Sequence, residues 1–142
     1  MSSPSTTPQR SIIVTGCSSG IGAHCARALK AEGWRVFATV RREEDLSPLE
    51  AEGIEAFLMD YTKPETIAAL VEAVLARPGG RLDALFNNGA YGQAGAVEDL
   101  PVEALRLQLE TNVIGWHDLT RRGIPVMRRQ GHGRLVQCSS IP

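Results

Sequence analysis

The segment with the clearest chemical potential is a glycine-rich turn, residues 15–22 (T-G-C-S-S-G-I-G), between a short apolar run and a helical pattern. Its first glycine permits a tight turn, the second lets the backbone approach a pyrophosphate, and the third lets the helix lie close to the strand. The helix N-terminus directs free N–H groups and partial positive charge at the phosphates, and two serines add hydroxyl donors. This pattern predicts dinucleotide binding by Gly16, Ser18, Ser19, Gly20, Ile21 and Gly22.

Two other motifs share parts of this turn. A Walker P-loop requires Gly-Lys-Ser/Thr at the helix entrance, and the sequence I-G-A found there excludes it. Residues 16–20 also match the G-x-S-x-G elbow of hydrolases, in which Ser18 would be the nucleophile. That elbow normally follows several strands, whereas only a polar stretch precedes this one, so we favour nucleotide binding. The hydrolase alternative would take its acid and base from Asp83 or Asp118 and His117 or His132.

Two arginines, Arg41 and Arg42, follow the second predicted strand, where the cofactor is selected. An acidic residue at this position would bind the ribose 2′-hydroxyl of NAD, whereas arginine accommodates the 2′-phosphate of NADP. Each guanidinium can form charge-assisted hydrogen bonds to phosphate. The alternative is a solvated pair neutralised by the acidic residues that follow. We therefore predict NADP as the cofactor, with NAD the less favoured choice.

The elements that must position these groups alternate along the chain. Apolar runs predict strands at residues 11–15, 35–40, 54–59, 82–86 and 134–138. Helical periodicity lies between them, including a helix predicted to begin with a capping box at residues 62–65 and a long helix after Pro101. In the long helix Leu105, Leu109, Val113 and Trp116 fall on or near one face. The order predicts an α/β fold, a doubly wound parallel sheet with helices on both faces.

Composition limits the function classes. The 142 residues are 43% hydrophobic and 22% charged with a net charge of −1, so we expect neither nucleic acid nor a membrane as partner. Three cysteines, an odd number without ligand-like spacing, indicate reduced thiols and a cytoplasmic protein. The scattered histidines predict no metal site. We expect residues 1–10, a polar Ser/Thr/Pro-rich stretch, to be a disordered tail before the domain at residues 11–142.

The glycine spacing resembles the T-G-x-x-x-G-I-G turn of the short-chain dehydrogenase/reductase family, and further motifs match in order. Asp60 and Tyr61 resemble the acidic residue that contacts adenine and its neighbour. Asn87-Asn88-Gly89-Ala90 resembles the N-N-A-G motif near the nicotinamide ribose, with its last two residues exchanged. The resemblance implies a Rossmann-type fold and cofactor contacts from Asp60, Tyr61, Asn87, Gly89 and Ala90.

Two later residues match catalytic positions of that family. Asn112 corresponds to a helix asparagine that supports a proton-relay water, and it falls in phase with the apolar residues of the long helix. A buried amide needs partners, so a functional role or a structural helix-to-sheet bond would each explain it. Ser140, at the end of the fifth predicted strand, corresponds to the serine that binds the substrate carbonyl. The resemblance implies hydride transfer between NADP(H) and a carbonyl or alcohol substrate.

The family's acid/base, a tyrosine in a Tyr-x-x-x-Lys motif, has no counterpart in this sequence. Tyr61 and Tyr91 are the only tyrosines, and neither is followed by lysine four residues later. We therefore expect an incomplete Rossmann domain, with the C-terminal strands missing and little activity of its own. The resemblance also implies that the intact protein forms a homo-oligomer. The alternative hypothesis is a non-catalytic NADP(H)-binding or interaction protein.

Overall fold

The computed structural model describes residues 8–140, in which five strands and five α-helices alternate. The predicted N-terminal tail lies mostly outside the described residues. Near its end Gln9 donates a hydrogen bond to the Gly33 carbonyl, and the Arg10 guanidinium lies over the Trp34 ring. The elements are β1 (Ser11–Val14), α1 (Gly20–Ala31), β2 (Arg35–Val40), α2 (Leu46–Ala51), β3 (Glu55–Leu58), α3 (Pro64–Leu75), β4 (Ala84–Asn87), α4 (Val102–Leu109), α5 (Gly115–Gln130) and β5 (Arg134–Gln137).

The five strands form one parallel sheet in the order β3-β2-β1-β4-β5. The chain moves outward from β1 to β3 on one side, then returns to place β4 on the other side of β1. The strand order therefore reverses between β1 and β4. In a doubly wound sheet, ligands bind outside the carboxyl ends of the strands at this switch point. The predicted fold class is confirmed.

Alternation along β1 explains why both faces of the sheet are covered. Ile13 faces a core formed with α3 and α5, whereas Ile12 and Val14 face a second core formed with α1. All three side chains are at most 5% exposed. A strand buried on both faces needs a continuous apolar run, which is what the sequence has here. The two cores hold the carboxyl end of β1, and the turn that follows it, in a fixed position.

One local prediction about helices is wrong, and another holds in part. Helix α3 begins after Lys63 without a side-chain cap, and the Thr62 hydroxyl instead donates to Asp60 Oδ1 at 2.8 Å. The predicted capping box is therefore absent. The long helix after Pro101 is present, with a π-helical turn at Glu110–Ile114 between α4 and α5. Its predicted apolar face is not buried as a whole, because Trp116 packs against the core whereas Leu105, Leu109 and Val113 are 45–59% exposed.

At the amino-terminal edge of the sheet, a buried carboxylate joins the starts of β1 and β4. Asp83, whose side chain is 5% exposed, accepts hydrogen bonds from the Ser11 amide at 2.9 Å and from Arg81 Nε at 3.2 Å. His132 Nε2 lies 2.9 Å from the same carboxylate. Burial alone would raise the pKa of Asp83, but the hydrogen bonds from Arg81 and Ser11 outweigh it and hold that pKa below its usual value.

Acidification is expected to destabilise the fold through Asp83. Because its pKa is lower in the folded than in the unfolded chain, its stabilisation is complete above the unfolded value of about 4 and is lost as the pH falls further. Urea unfolding at neutral and acidic pH measures this loss. Asp83→Asn should cost about 2–3 kcal/mol at neutral pH and flatten the acid dependence. Parallel loss of stability in both proteins on acidification would contradict this role.

No helix among residues 8–140 is long and apolar enough to cross a membrane. In the same range, no group of three or more His, Cys, Asp or Glu side chains is placed to hold a metal ion. The three cysteines, Cys17, Cys25 and Cys138, are free thiols.

Candidate functional site

An open cleft of about 340 Å³ lies at the carboxyl edge of the sheet, beside the switch point between β1 and β4. It is formed by the turn after β1, the ends of β2 and β3, and the segment that follows β4. Its volume is at the lower end of the range for ligand sites, about 300–1,000 Å³. The lining residues are Gly16, Ser18, Ser19, Thr39, Val40, Arg41, Arg42, Asp45, Met59, Asp60, Tyr61, Asn88, Gly89, Ala90, Tyr91 and Thr111.

Glycines make the turn after β1 close enough to its neighbours to form the floor of the cleft. A Cβ on Gly22 would lie 2.2 Å from the Gly16 carbonyl oxygen, and a Cβ on Gly16 would lie 2.6 Å from Gly89 Cα. Gly16 also has a φ of 69°, which side chains rarely adopt. Backbone therefore touches backbone at both contacts, and only glycine fits at these positions.

The N-terminus of α1 opens into the same cleft. Ser19 is the N-cap residue, but in the described structure its hydroxyl makes no capping hydrogen bond to the helix. Ser18 and Ile21 are exposed beside it. Backbone N–H groups at a helix start, with uncommitted hydroxyls nearby, are a donor set that suits a phosphate. The glycine contacts and these donors together fit the pyrophosphate of a dinucleotide.

The thiol within this turn has a packing role. Cys17 is 1% exposed and its Sγ donates to the Val14 carbonyl at 3.1 Å. Burial raises the pKa of this thiol to about 12, so it stays protonated and unreactive at neutral pH.

The two arginines after β2 differ in their partners. The Arg42 guanidinium lies 3.1 Å from Glu44 and 3.6 Å from Asp45, so neighbouring carboxylates already engage it. Arg41 is exposed at the cleft wall, and no ion pair among the described residues includes it. Arg41 is thus the arginine whose charge is available to a bound anion.

Asp60 lies at the far wall, after β3, in a local network. Its Oδ1 accepts hydrogen bonds from the Thr62 amide at 2.9 Å and from the Thr62 hydroxyl at 2.8 Å. The Asp60 amide donates to Thr66 Oγ1 at 3.0 Å, which ties this turn to the start of α3. No hydrogen bond among the described residues engages the second carboxylate oxygen, Oδ2, and Asp60 lines the cleft.

The segment after β4 is held by two side chains of the matched motifs that were not among the predicted site residues. Thr15 Oγ1 accepts hydrogen bonds from the Asn88 and Gly89 amides, both at 2.9 Å. The Asn88 side chain donates back to the Thr15 carbonyl at 3.1 Å. Asn87 itself is fully buried and bonds to Tyr61 and Thr120 rather than lining the cleft. Residues 87–90 are therefore fixed against the end of β1.

Asn112 lies in the π-helical turn and contacts the loop after β4. Its Nδ2 donates to the Tyr91 carbonyl at 2.7 Å, and its Oδ1 accepts from the Tyr91 amide at 3.2 Å. Both ends of the amide thus hold one peptide unit of this loop. This is the structural bond that the sequence left open as an alternative. One N–H of the amide remains for a further partner, so the proton-relay role stays a prediction.

Ser140 follows β5, which is the outer neighbour of β4. The Cys138 amide donates to the Asn87 carbonyl at 3.0 Å, so the chain leaves β5 next to the residues that follow β4. Ser140 is exposed at this edge. It lies on the same side of the sheet as the cleft, beyond its lining.

Sequence reasoning found the walls of the cleft but missed part of its lining and support. The predicted residues that do not line it are Gly20, Ile21, Gly22, Asn87, Asn112 and Ser140. The lining residues not predicted are Thr39, Val40, Asp45, Met59, Asn88, Tyr91 and Thr111. Most of these adjoin a predicted residue along the chain, so their position next to a motif is the sequence feature that could have identified them. Thr111, which precedes Asn112, enters the cleft through the π turn, which no sequence pattern indicated.

The structure does not bring together the residues that the hydrolase alternative requires. His132 and Asp83 pair at the amino-terminal edge of the sheet, whereas Ser18 follows the carboxyl end of β1. Asp118 pairs instead with Arg121 and Arg122 on α5.

Comparisons with known proteins agree with the fold. The short chain dehydrogenase family model matches residues 10–142. The uncharacterized oxidoreductase YbbO of Escherichia coli K12 is 35% identical over 133 residues, which is 94% of this chain and 49% of that protein. A short-chain dehydrogenase from Streptomyces avermitilis has a TM-score of 0.89 and 40% identity, covering 95% of this chain and 50% of that one. A tryptophan variant of actinorhodin polyketide ketoreductase, solved with NADPH, has a TM-score of 0.85 and 36% identity over 93% of this chain and 53% of that one.

The chain spans about half the length of these relatives. The family match nevertheless covers almost all of this sequence, and the motifs that carry it line or support one cleft. The chain belongs to the short-chain dehydrogenase/reductase family.

Proposed function

We propose that the cleft binds NADP(H) and that the protein transfers a hydride between NADP(H) and a carbonyl or alcohol substrate. The observation that carries the proposal is the cleft itself, whose floor is a glycine turn at a helix N-terminus and whose wall presents Arg41. The curated relatives named as dehydrogenases and reductases support the reaction class and do not favour a non-catalytic binding protein.

Each wall of the cleft suits one part of the dinucleotide. The α1 N-terminus with Ser18 and Ser19 would hold the diphosphate, and Arg41 the 2′-phosphate. Asp60 would hold the adenine end, while Gly89 and Ala90 would lie beside the nicotinamide ribose. NADP is proposed over NAD because Arg41 provides positive charge where a ribose 2′-hydroxyl would require an acceptor. A related ketoreductase solved with NADPH is consistent with this choice.

The bound nicotinamide would supply or accept the hydride. We propose that Ser140 donates a hydrogen bond to the substrate oxygen and that Asn112 holds a water in the proton relay. Tyr61 is unsuited to acid/base work, because burial raises its pKa well above the ordinary value and its hydroxyl is engaged within the protein. Tyr91 has no lysine four residues after it and so does not form the family's Tyr-x-x-x-Lys motif.

The purified 142-residue chain is expected to show no substrate-dependent NADPH oxidation, because its sequence lacks the Tyr-x-x-x-Lys motif. Loss of NADPH absorbance in the presence of a panel of aldehydes and ketones measures this. Steady turnover that requires both the chain and a carbonyl substrate would contradict the assignment of acid/base chemistry to that motif.

The reaction itself is tested on the protein as its source cells make it, isolated with an antibody raised against residues 8–140. We expect it to oxidise NADPH with a carbonyl substrate or reduce NADP with the matching alcohol. A preparation that binds NADPH but transfers no hydride to or from any member of the panel would favour the non-catalytic alternative.

We also propose a cytoplasmic homo-oligomer. Free cysteines are consistent with a reducing compartment. The support for oligomerisation is the exposed apolar surface of α4 and the π turn, which includes Leu105, Leu109 and Val113.

A further inference from the structure

Tyr61 is one of the residues that line the cleft, and it connects two of its walls. Its side chain follows β3 and is 6% exposed. The hydroxyl oxygen lies 2.7 Å from Asn87 Oδ1 at the end of β4 and 2.8 Å from Thr15 Oγ1 at the end of β1. One phenol thus bridges the two strands between which the strand order reverses.

The hydrogen-bonding groups around Tyr61 show which group donates to Asn87. Asn87 Oδ1 can only accept, since its Nδ2 donates to Thr120 Oγ1 at 3.1 Å, so the Tyr61 proton goes to Asn87. Thr15 Oγ1 accepts from the Asn88 and Gly89 amides, and its own proton has two acceptors within reach, the Tyr61 hydroxyl at 2.8 Å and the Phe86 carbonyl at 3.4 Å. Removing the phenol hydroxyl therefore leaves the buried Asn87 Oδ1 without a donor and Thr15 without its contact to β3.

The Tyr61 ring is fixed by close contacts. A Cβ on Gly115 would lie 2.4 Å from Tyr61 Cβ, so α5 approaches the ring at a glycine. Trp116 lies beside it with ring centroids 6.3 Å apart and donates from Nε1 to the Gly89 carbonyl at 2.8 Å. Helix α5 therefore holds the ring through Gly115 and Trp116.

The same packing accounts for the exchanged Gly89-Ala90 order. The N-N-A-G motif that residues 87–90 resemble has alanine where this chain has Gly89. A Cβ on Gly89 would lie 3.1 Å from the Gly16 amide nitrogen and 3.4 Å from Tyr61 Cε2. Glycine at this position leaves room for both the phosphate-binding turn and the tyrosine ring.

We propose that Tyr61 is a positioning residue whose hydroxyl, acting through Thr15 and Asn87, sets where the nicotinamide half of the cofactor lies relative to the phosphate-binding turn. This inference rests on the proposed binding of NADP(H). The adenine half would lie against Arg41 and Asp60, and no side-chain hydrogen bond of the bridge reaches either of these side chains. Tyr61 therefore affects one half of the dinucleotide more than the other.

The test compares two ligands on the 142-residue chain by calorimetric titration: NADPH, and adenosine 2′,5′-bisphosphate, which lacks the nicotinamide half. Tyr61→Phe removes the hydroxyl and keeps the ring. It should weaken NADPH binding about ten-fold and change bisphosphate binding by less than about two-fold. Thr15→Val breaks the bridge from its other end and should shift the same ratio of affinities.

Ser11→Ala is the matched control. It removes a buried hydroxyl that bonds to Asp83 and to the Arg81 carbonyl at the opposite edge of the sheet. It should lower the urea midpoint while leaving the ratio of the two affinities unchanged. A general loss of stability therefore cannot imitate the expected result.

The outcomes separate the inference from the function on which it rests. A changed ratio in both bridge variants, without a change in the control, supports the positioning role. Equal losses for the two ligands, or no loss for either, overturn the inference and leave the proposed function intact. A folded wild-type chain that binds neither ligand overturns the proposed function, and the inference with it.

Discussion

Gly22→Ala is expected to weaken NADPH binding strongly. The added methyl group would lie 2.2 Å from the Gly16 carbonyl oxygen, so α1 must move away from the turn that it closes. Because this closest neighbour is backbone, no side chain can rotate to relieve the contact, and the methyl group would also lie 2.8 Å from Asn88 Nδ2. We expect at least about a ten-fold loss of affinity in a calorimetric titration, together with about 2–3 kcal/mol of the free energy of unfolding.

Gly33→Ala provides the control for the Gly22 experiment. Gly33 has a φ of 83° just after α1, and a Cβ there would meet nothing within 4 Å. Its replacement introduces backbone strain of about 1 kcal/mol without crowding the turn. It should lower stability and leave NADPH binding unchanged. Wild-type affinity in Gly22→Ala would show that the α1 contact with the turn is not needed for the site.

Arg41→Ala should weaken NADPH binding by about ten- to a hundred-fold and leave NADH binding almost unchanged. The reason is that the 2′-phosphate, which only NADPH carries, loses a charge-assisted hydrogen bond. Titrations with both cofactors at two salt concentrations measure the effect, and added salt should reduce it.

Arg42→Ala is the matched comparison for Arg41. Its guanidinium already lies against Glu44 and Asp45, so its removal should cost less NADPH affinity than the loss of Arg41. Equal losses in the two variants would mean that both arginines reach the phosphate. An Arg41→Ala chain that retains the wild-type preference for NADPH would contradict the assignment of the 2′-phosphate site.

The strands were predictable because their cause is local. A continuous apolar run is needed wherever a parallel strand is covered on both faces, and Ile12 to Val14 show it directly. The roles of Gly16 and Gly22 were also predictable, since close backbone contact at these positions excludes any side chain. The arginines after β2 were predictable because β2 pairs in parallel with β1, which places the end of β2 beside the phosphate-binding turn.

What the sequence could not indicate depends on contacts between distant segments. The π turn at Glu110–Ile114 rotates the residues after it, so a face that looked continuous is split. The bridge of Tyr61 to Thr15 and Asn87 joins residues 46 and 26 positions apart in sequence. Arg41 and Arg42 look alike in the sequence, and only the positions of Glu44 and Asp45 distinguish them.

The most direct test of the nucleotide site is a calorimetric titration of the wild-type chain with NADPH and with NADH, after circular dichroism has established that the chain is folded. We predict saturable binding of one NADPH per chain, with an affinity at least about ten-fold higher than that for NADH. Tighter binding of NADH would contradict the role of Arg41, and a folded chain that binds neither nucleotide would contradict the site itself.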